Sequence, residues 1–129
     1  MAVNGLSFSV SPDDVFTHVG APDETRVNFD GEVEYLYRLD EHHAVIYRCF
    51  HQRLVECTFP DLGPLIINGQ AIVSAGPWIA SQPGALDIAK FWISPEHCIA
   101  YDHRNPANGS ITVYRHGHWD ALIQQARSL

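Results

Sequence analysis

His116 and His118 flank a single glycine. In an extended segment, residues i and i+2 point to one face, so both imidazoles could meet one metal ion. Glu96, His97, Asp102 and His103 are the candidates for a third and fourth ligand. Nothing in their spacing demands that role, and Gly117 lets the chain bend out of the extended geometry. The expectation is a polar turn ahead of the last helix, with no metal site and no cofactor.

Cys98 lies beside His97, with Asp102 and His103 a strand away. These are the residue types of a Cys-His-Asp nucleophile set. In a strand, however, Cys98 and His97 point to opposite faces. No Gly-x-Ser-x-Gly elbow and no cysteine-protease signature surrounds them. A buried structural cysteine is the expectation, and no catalytic residue is assigned. Nucleotide chemistry lacks its usual carriers: there is no Gly-x-Gly-x-x-Gly and no Walker pattern. Lys90 is the only lysine, and no basic patch suits nucleic acid. The close carboxylates Asp13-Asp14 and Glu32/Glu34 read as a helix cap and a solvated strand face, and nothing specific supports a glycosidase pair.

The elements that must position these residues are legible in places. In Val10-Ser11-Pro12-Asp13-Asp14-Val15, Ser11 is a good N-cap, Pro12 suits the first helical position, and the acids favour the positive end of the dipole. Gly20 and Pro22 stop the helix, which is predicted over 11–19. Val33, Tyr35, Tyr37 and Leu39 alternate with Glu34, Leu36 and Arg38, and strands follow over 44–50 and 53–59. Their short links make antiparallel hairpins. A tight turn at His51-Gln52 would pair Cys49 with Leu54 and Cys57 with Ile46. The sulfurs are then not opposite, and free buried thiols in a reducing compartment are expected. Over 60–88 the pattern predicts short strands near 65–67 and 70–73 and a helical turn near 77–82. Strands over 89–93, 98–103 and 110–115 follow, then a helix over 119–127 whose apolar stripe is Leu122, Ile123 and Ala126.

A shift of 55 residues lays Leu36-Tyr37 on Phe91-Trp92 and Glu41-His42 on Glu96-His97. The identity is slight, so an internal repeat of about 10–60 and 77–129 and a chance coincidence both stand. The chain reads as one α+β domain over 1–129, with a largely antiparallel sheet of about six strands and helices on one face.

The charge is uneven. Residues 1–61 hold eleven carboxylates and four arginines, a net −7, whereas residues 62–129 hold four of each sign. An acidic surface repels polyanions, which argues against nucleic acid and anionic membrane and suits a basic protein. Asp30, Glu32, Glu34, Asp40 and Glu41 cluster around the first strand and are expected to be exposed together. Tyr114 joins them as an aromatic with a polar tip, favoured at interfaces. No basic leader or apolar run of about 20 residues is present, so the cytoplasm is the expected compartment.

Two resemblances bear on function. Ser11-Pro12-Asp13-Asp14-Val15, Val19-Gly20-Ala21-Pro22-Asp23 and Gly31-Glu32-Val33-Glu34-Tyr35-Leu36-Tyr37 resemble the start of β-lactamase-inhibitor-like and SmpA/OmlA-type modules, which implies a binding scaffold without catalysis. The lipoprotein signal and lipid-bearing cysteine of those modules are missing. Ile67-Asn68-Gly69, His97-Cys98-Ile99-Ala100 and Ile111-Thr112-Val113-Tyr114-Arg115-His116-Gly117-His118-Trp119-Asp120 are similar to small immunity proteins of bacterial toxin systems, with Cys98 in place of the usual glycine. That likeness implies a binder that neutralises a toxin. With the acidic charge, which suits a basic partner, the expectation is a non-enzymatic protein that occludes a cognate toxin or effector. The alternatives are a small hydrolase-like or metal-dependent enzyme using the histidine-rich second half, and an adaptor or chaperone for an effector.

Overall fold

A computed structural model describes residues 2–127. Two short strands, β1 (Ala2–Val3) and β2 (Leu6–Ser7), precede helix α1 (Pro12–Val19). Four strands follow as a meander: β3 (Glu24–Val27), β4 (Val33–Arg38), β5 (Ala44–Phe50) and β6 (Arg53–Pro60). After β7 (Leu65–Ile67) and β8 (Gln70–Ile72) comes a second helix and meander: α2 (Ala75–Ala80), β9 (Leu86–Ile88), β10 (Phe91–Ser94), β11 (Ile99–Asp102) and β12 (Ser110–Tyr114). Helix α3 (Asp120–Arg127) ends the described chain.

The local chemistry forms these elements as the residue types require. At the start of α1, the Ser11 hydroxyl accepts from the Asp14 N–H at 3.3 Å, and the Asp14 carboxylate accepts from the Ser11 N–H at 3.2 Å. This capping box satisfies two helix-end donors. The β5–β6 link is a two-residue turn with φ of 50° at His51 and 63° at Gln52, the left-handed pair that a tight hairpin needs.

All strand pairing is antiparallel among the described residues. The main sheet runs β3-β4-β5-β6-β12-β11-β10-β9, and a smaller sheet runs β2-β1-β7-β8. The sheets thus hold eight and four strands rather than about six in all. The extra pairs are short or lack an apolar face. In β3, Glu24-Thr25-Arg26-Val27 is exposed at every position, so no alternation announces it. The two meanders meet at a β6–β12 seam, where the hydroxyls of Thr58 and Thr112 lie 2.9 Å apart.

One face of the main sheet carries Tyr35, Tyr47, Cys57, Phe59, Ile99, Tyr101, Ile111 and Val113. It is covered by Val15 of α1, Ile79 of α2 and by Val3, Leu65, Ile67 and Ile72 of the small sheet. A Cβ added at Gly76 would lie 2.8 Å from the Tyr101 ring, so only glycine lets α2 approach this closely. The helices do not share one face. Ile123 of α3 packs on Ile93 and Ala100, which alternation points away from Trp92 and Tyr101 to the opposite side. The side chain of Ala126 lies outside the described residues.

A β-bulge in the β5–β6 hairpin has the largest consequence. Cys49 pairs with Leu54 as the turn dictates, but Arg48 pairs with Glu56, and Cys57 with Tyr47 rather than Ile46. Val55 is the extra residue, and a one-residue slip exchanges the faces of everything beyond it. Leu54 and Cys57 therefore both enter the core, and Glu56 turns to the other face beside Arg48. The three cysteines are free and buried. Burial pushes the Cys49 thiol up to about 11.

Candidate functional site

On the α3 side of the sheet, the first meander presents charge. Glu34 of β4 is 5% exposed and accepts from two guanidiniums, Arg26 Nε at 2.7 Å and Arg48 Nε at 2.7 Å. Arg48 Nη1 continues the chain to Thr58 Oγ1 at 2.6 Å and Glu56 Oε2 at 3.3 Å. Desolvation alone would raise the Glu34 pKa, but the hydrogen bonds from Arg26 and Arg48 outweigh it and hold the carboxylate below its usual range.

The loop ahead of α3 delivers His118 and Trp119 onto this network. His118 Nε2 lies 2.8 Å from Glu32 Oε2 and 3.4 Å from Glu56 Oε1. A carboxylate can only accept, so Nε2 carries the proton. Trp119 Nε1 donates to Glu56 Oε1 at 2.6 Å, and Asn28 Nδ2 donates to Glu32 Oε1 at 2.9 Å. The His118 pKa is raised. Its hydrogen bond with Glu56 contributes most and outweighs desolvation, and the pairing with Glu32 adds to it. Burial would raise Glu56, but hydrogen bonds from His118 and Trp119 and the charge of Arg48 leave it lowered.

These groups floor a cleft of about 560 Å³. Asp30, Glu32, Glu56 and His118 supply its polar atoms, and Phe50, Phe91, Trp119 and Leu122 its apolar walls. Phe91 and Trp119 meet edge to face at 5.2 Å, and Trp119 stacks flat on Tyr114 at 4.8 Å. Phe29, beside Asp30, is fully exposed, and Phe50 and Leu122 are exposed at the rim. Acidic oxygens between aromatic walls suit a cation, by charge and by the ring quadrupole.

The residues singled out in the sequence are scattered by this arrangement. Asp30 is exposed at the cleft. Glu32 and Glu34 are 6% and 5% exposed and fully paired, not a solvated strand face, because Asn28, His118 and the two arginines converge on them. Asp40 and Glu41 are exposed but lie at the far end of β4, about 20 Å away at roughly 3.3 Å per residue. Asp40 accepts the backbone N–H groups of His42 and His43 and the His43 ring, which hold its carboxyl low. The five acids therefore do not form one exposed edge. Tyr114 is 2% exposed, so its ring packs inside rather than facing a partner.

The His116–His118 pair also separates. Gly117 has φ of 87°, so His118 turns to the cleft while His116 Nδ1 lies 3.9 Å from Cys98 Sγ. His97 is held by Ser94 at 2.9 Å, and His103 by Asp87 at 3.2 Å. Asp102 pairs with Lys90 and Arg104, and Glu96 is exposed. Burial, then the charge of Asp120, pushes the Cys98 thiol up, away from an activated nucleophile.

Arg48, Glu56 and Asn28 were not singled out by the sequence. A signal existed for two of them. Arg48 is the only charge in Ala44–Phe50, and Glu56 the only charge between Arg53 and Pro60. One lone charge in each of two consecutive apolar strands marks a cross-strand pair.

Comparison with models of protein families, with characterised proteins and with solved structures finds no match. No helix among the described residues is long and apolar enough to cross a membrane.

Proposed function

We propose that this protein works by binding another protein, as an immunity-type protein that occludes a cognate toxin or effector, and that the cleft mouth is its contact surface. One observation carries this reading: the exposed Phe50 and Leu122 line an acidic floor, and Phe29, the residue before the cleft's Asp30, is fully exposed. Exposed aromatics at a rim favour a protein partner. The floor favours a basic side chain inserted between Phe50, Phe91 and Trp119, where a desolvated cation gains most. The partner's anchor is thus an arginine or lysine flanked by apolar residues, and the chain acts by covering rather than by catalysis.

The test compares affinity capture from the source cells by the parent, by Phe29→Asp with Leu122→Asp, and by Asp40→Lys with Glu41→Lys at the far end. The first pair removes exposed apolar area without touching the core, so folding is retained. The expected result is one protein whose recovery falls at least tenfold, about 1.4 kcal/mol, with the first pair and is unchanged with the second. Recovery that is indifferent to Phe29 and Leu122 overturns the cleft-mouth reading.

A further inference from the structure

Three side chains distant in sequence bring ligand atoms to one place. Glu32 comes from the entry to β4, Glu56 from β6 and His118 from the loop before α3, and their nearest ligand atoms all lie within 4.8 Å of one another. The His118 nitrogen is 2.8 Å from one carboxylate oxygen and 3.4 Å from the other. Ligands about 2.0–2.1 Å from a tetrahedral zinc ion stand roughly 3.3 Å apart. The two separations from the His118 nitrogen lie within about half an ångström of that spacing, and the two carboxylates, within 4.8 Å of each other, reach it by side-chain rotation.

Groups outside the triad already aim its ligands. Asn28 holds the far oxygen of Glu32, while Trp119 and Arg48 hold the two oxygens of Glu56. Such outer hydrogen bonds are what orient carboxylate ligands in metal sites. The sheet lies behind the triad, and the cleft lies in front, so a fourth position faces open space, as in sites that admit a water or a substrate. Two nearly buried carboxylates favour a cation between them. In the structure the His118 Nε2–H occupies that place, 2.8 Å from Glu32.

We propose that Glu32, Glu56 and His118 form a mononuclear site for a divalent transition-metal ion, with zinc as the reference ion and one coordination position open to the cleft. Binding exchanges the Nε2 proton of His118 for the ion, and the proton leaves to the buffer. The two carboxylates and the neutral imidazole then balance the ion's charge. The mixed nitrogen and oxygen donor set favours zinc or manganese over magnesium, which prefers oxygen alone and keeps its waters. This inference does not rest on the partner-binding reading: the ion is titrated in the absence of any partner, and because it would occupy the floor assigned there to a basic side chain, the two cations compete.

The experiment is calorimetric titration of the chelator-treated full chain with zinc, alongside the visible spectrum of the cobalt-loaded protein. The expected result is one equivalent of zinc bound, with a four-coordinate cobalt spectrum and no competition from a large excess of magnesium. His118→Ala and Glu56→Gln should each weaken zinc at least about tenfold, whereas His116→Ala should not change it. Glu56→Gln risks the fold, and Asn28→Ala would also remove the acceptor of the Asp30 and Glu32 N–H groups in the β3–β4 turn, so His118→Ala carries the test: it should weaken zinc without shifting the circular dichroism. Absence of saturable zinc binding, binding indifferent to His118→Ala, or a loss that follows His116→Ala instead overturns the site.

Discussion

On the α3 side of the sheet, β10 and β11 offer Ile93 and Ala100, while β4, β5 and β6 offer Glu34, Arg48 and Glu56. The two meanders share their order of strands and their covered face, yet their second faces are opposite in character. The second is closed by Ile123 of α3. The first is closed by its own ion pairs. Burial of apolar area holds one half, and mutual neutralisation holds the other. The cleft forms where the two surfaces meet, since Trp119 touches Phe91 on one side and Glu56 on the other.

Removing the central cation is the strongest way to break that contrast. Arg48 is 17% exposed and joins Glu34, Glu56 and Thr58. Arg48→Met keeps the apolar stem and deletes the charge, leaving two carboxylates short of a partner. The expected loss is about 3 kcal/mol in urea unfolding, because truncating one side of a buried pair strands the other. A loss below about 1 kcal/mol would place the network among surface ion pairs, which contribute little.

The seam between the halves gives a second, smaller effect that depends on pH. The folded-state pKa of His118 is raised. Its contribution is therefore fully present below the unfolded value, about 6.5, and is lost as pH rises through the higher folded value. Stability measured by thermal unfolding should fall on the alkaline side of that window by on the order of 1 kcal/mol, and His118→Gln should flatten the fall. Glu34 and Glu56, whose pKa values are lowered, act at the other end: their contribution is present above the unfolded carboxylate value of 4.5 and lost as pH falls through their folded values. An alkaline slope that survives His118→Gln would assign it to another group.

The same contrast explains what was legible in the sequence. Ser11-Pro12-Asp13-Asp14 and the alternation of Tyr35 and Tyr37 state their structure locally, and α1 and β4 follow them. Of the expected α3 stripe, Ile123 is buried but Leu122 is exposed at the cleft rim, and nothing in Leu122-Ile123 says which side of the sheet receives Ile123. The charged half was misread for a physical reason. An acid in a strand reads as solvated unless its partners are known, and the partners of Glu34 arrive from β3 and β5. Glu56 was hidden by the bulge at Val55. Under simple alternation from Leu54 it faces the core, where a carboxylate has no place. The site depends on that one-residue slip, and no local propensity encodes it.

Tyr114 gives the finest test of where the boundary between the halves runs. It sits on β12 opposite Glu56 and stacks on Trp119 with parallel rings, so it borders the charged network. Its hydroxyl is nevertheless buried and has no hydrogen-bond partner among the described residues. Burial, followed by the charges of Cys98 and Asp120, pushes its pKa far up, so it stays neutral at any working pH. An unpaired buried hydroxyl costs roughly 1–3 kcal/mol on mutational scales. Tyr114→Phe removes that group and keeps the ring, so stability should rise by up to about 1 kcal/mol, the rest being offset by lost packing. Partner recovery should not change, since a residue 2% exposed cannot be a contact. Chemical unfolding checks the first outcome and affinity capture the second. A loss of stability would mean that the hydroxyl belongs to the polar network, moving the boundary from the β6–β12 seam to the far side of β12.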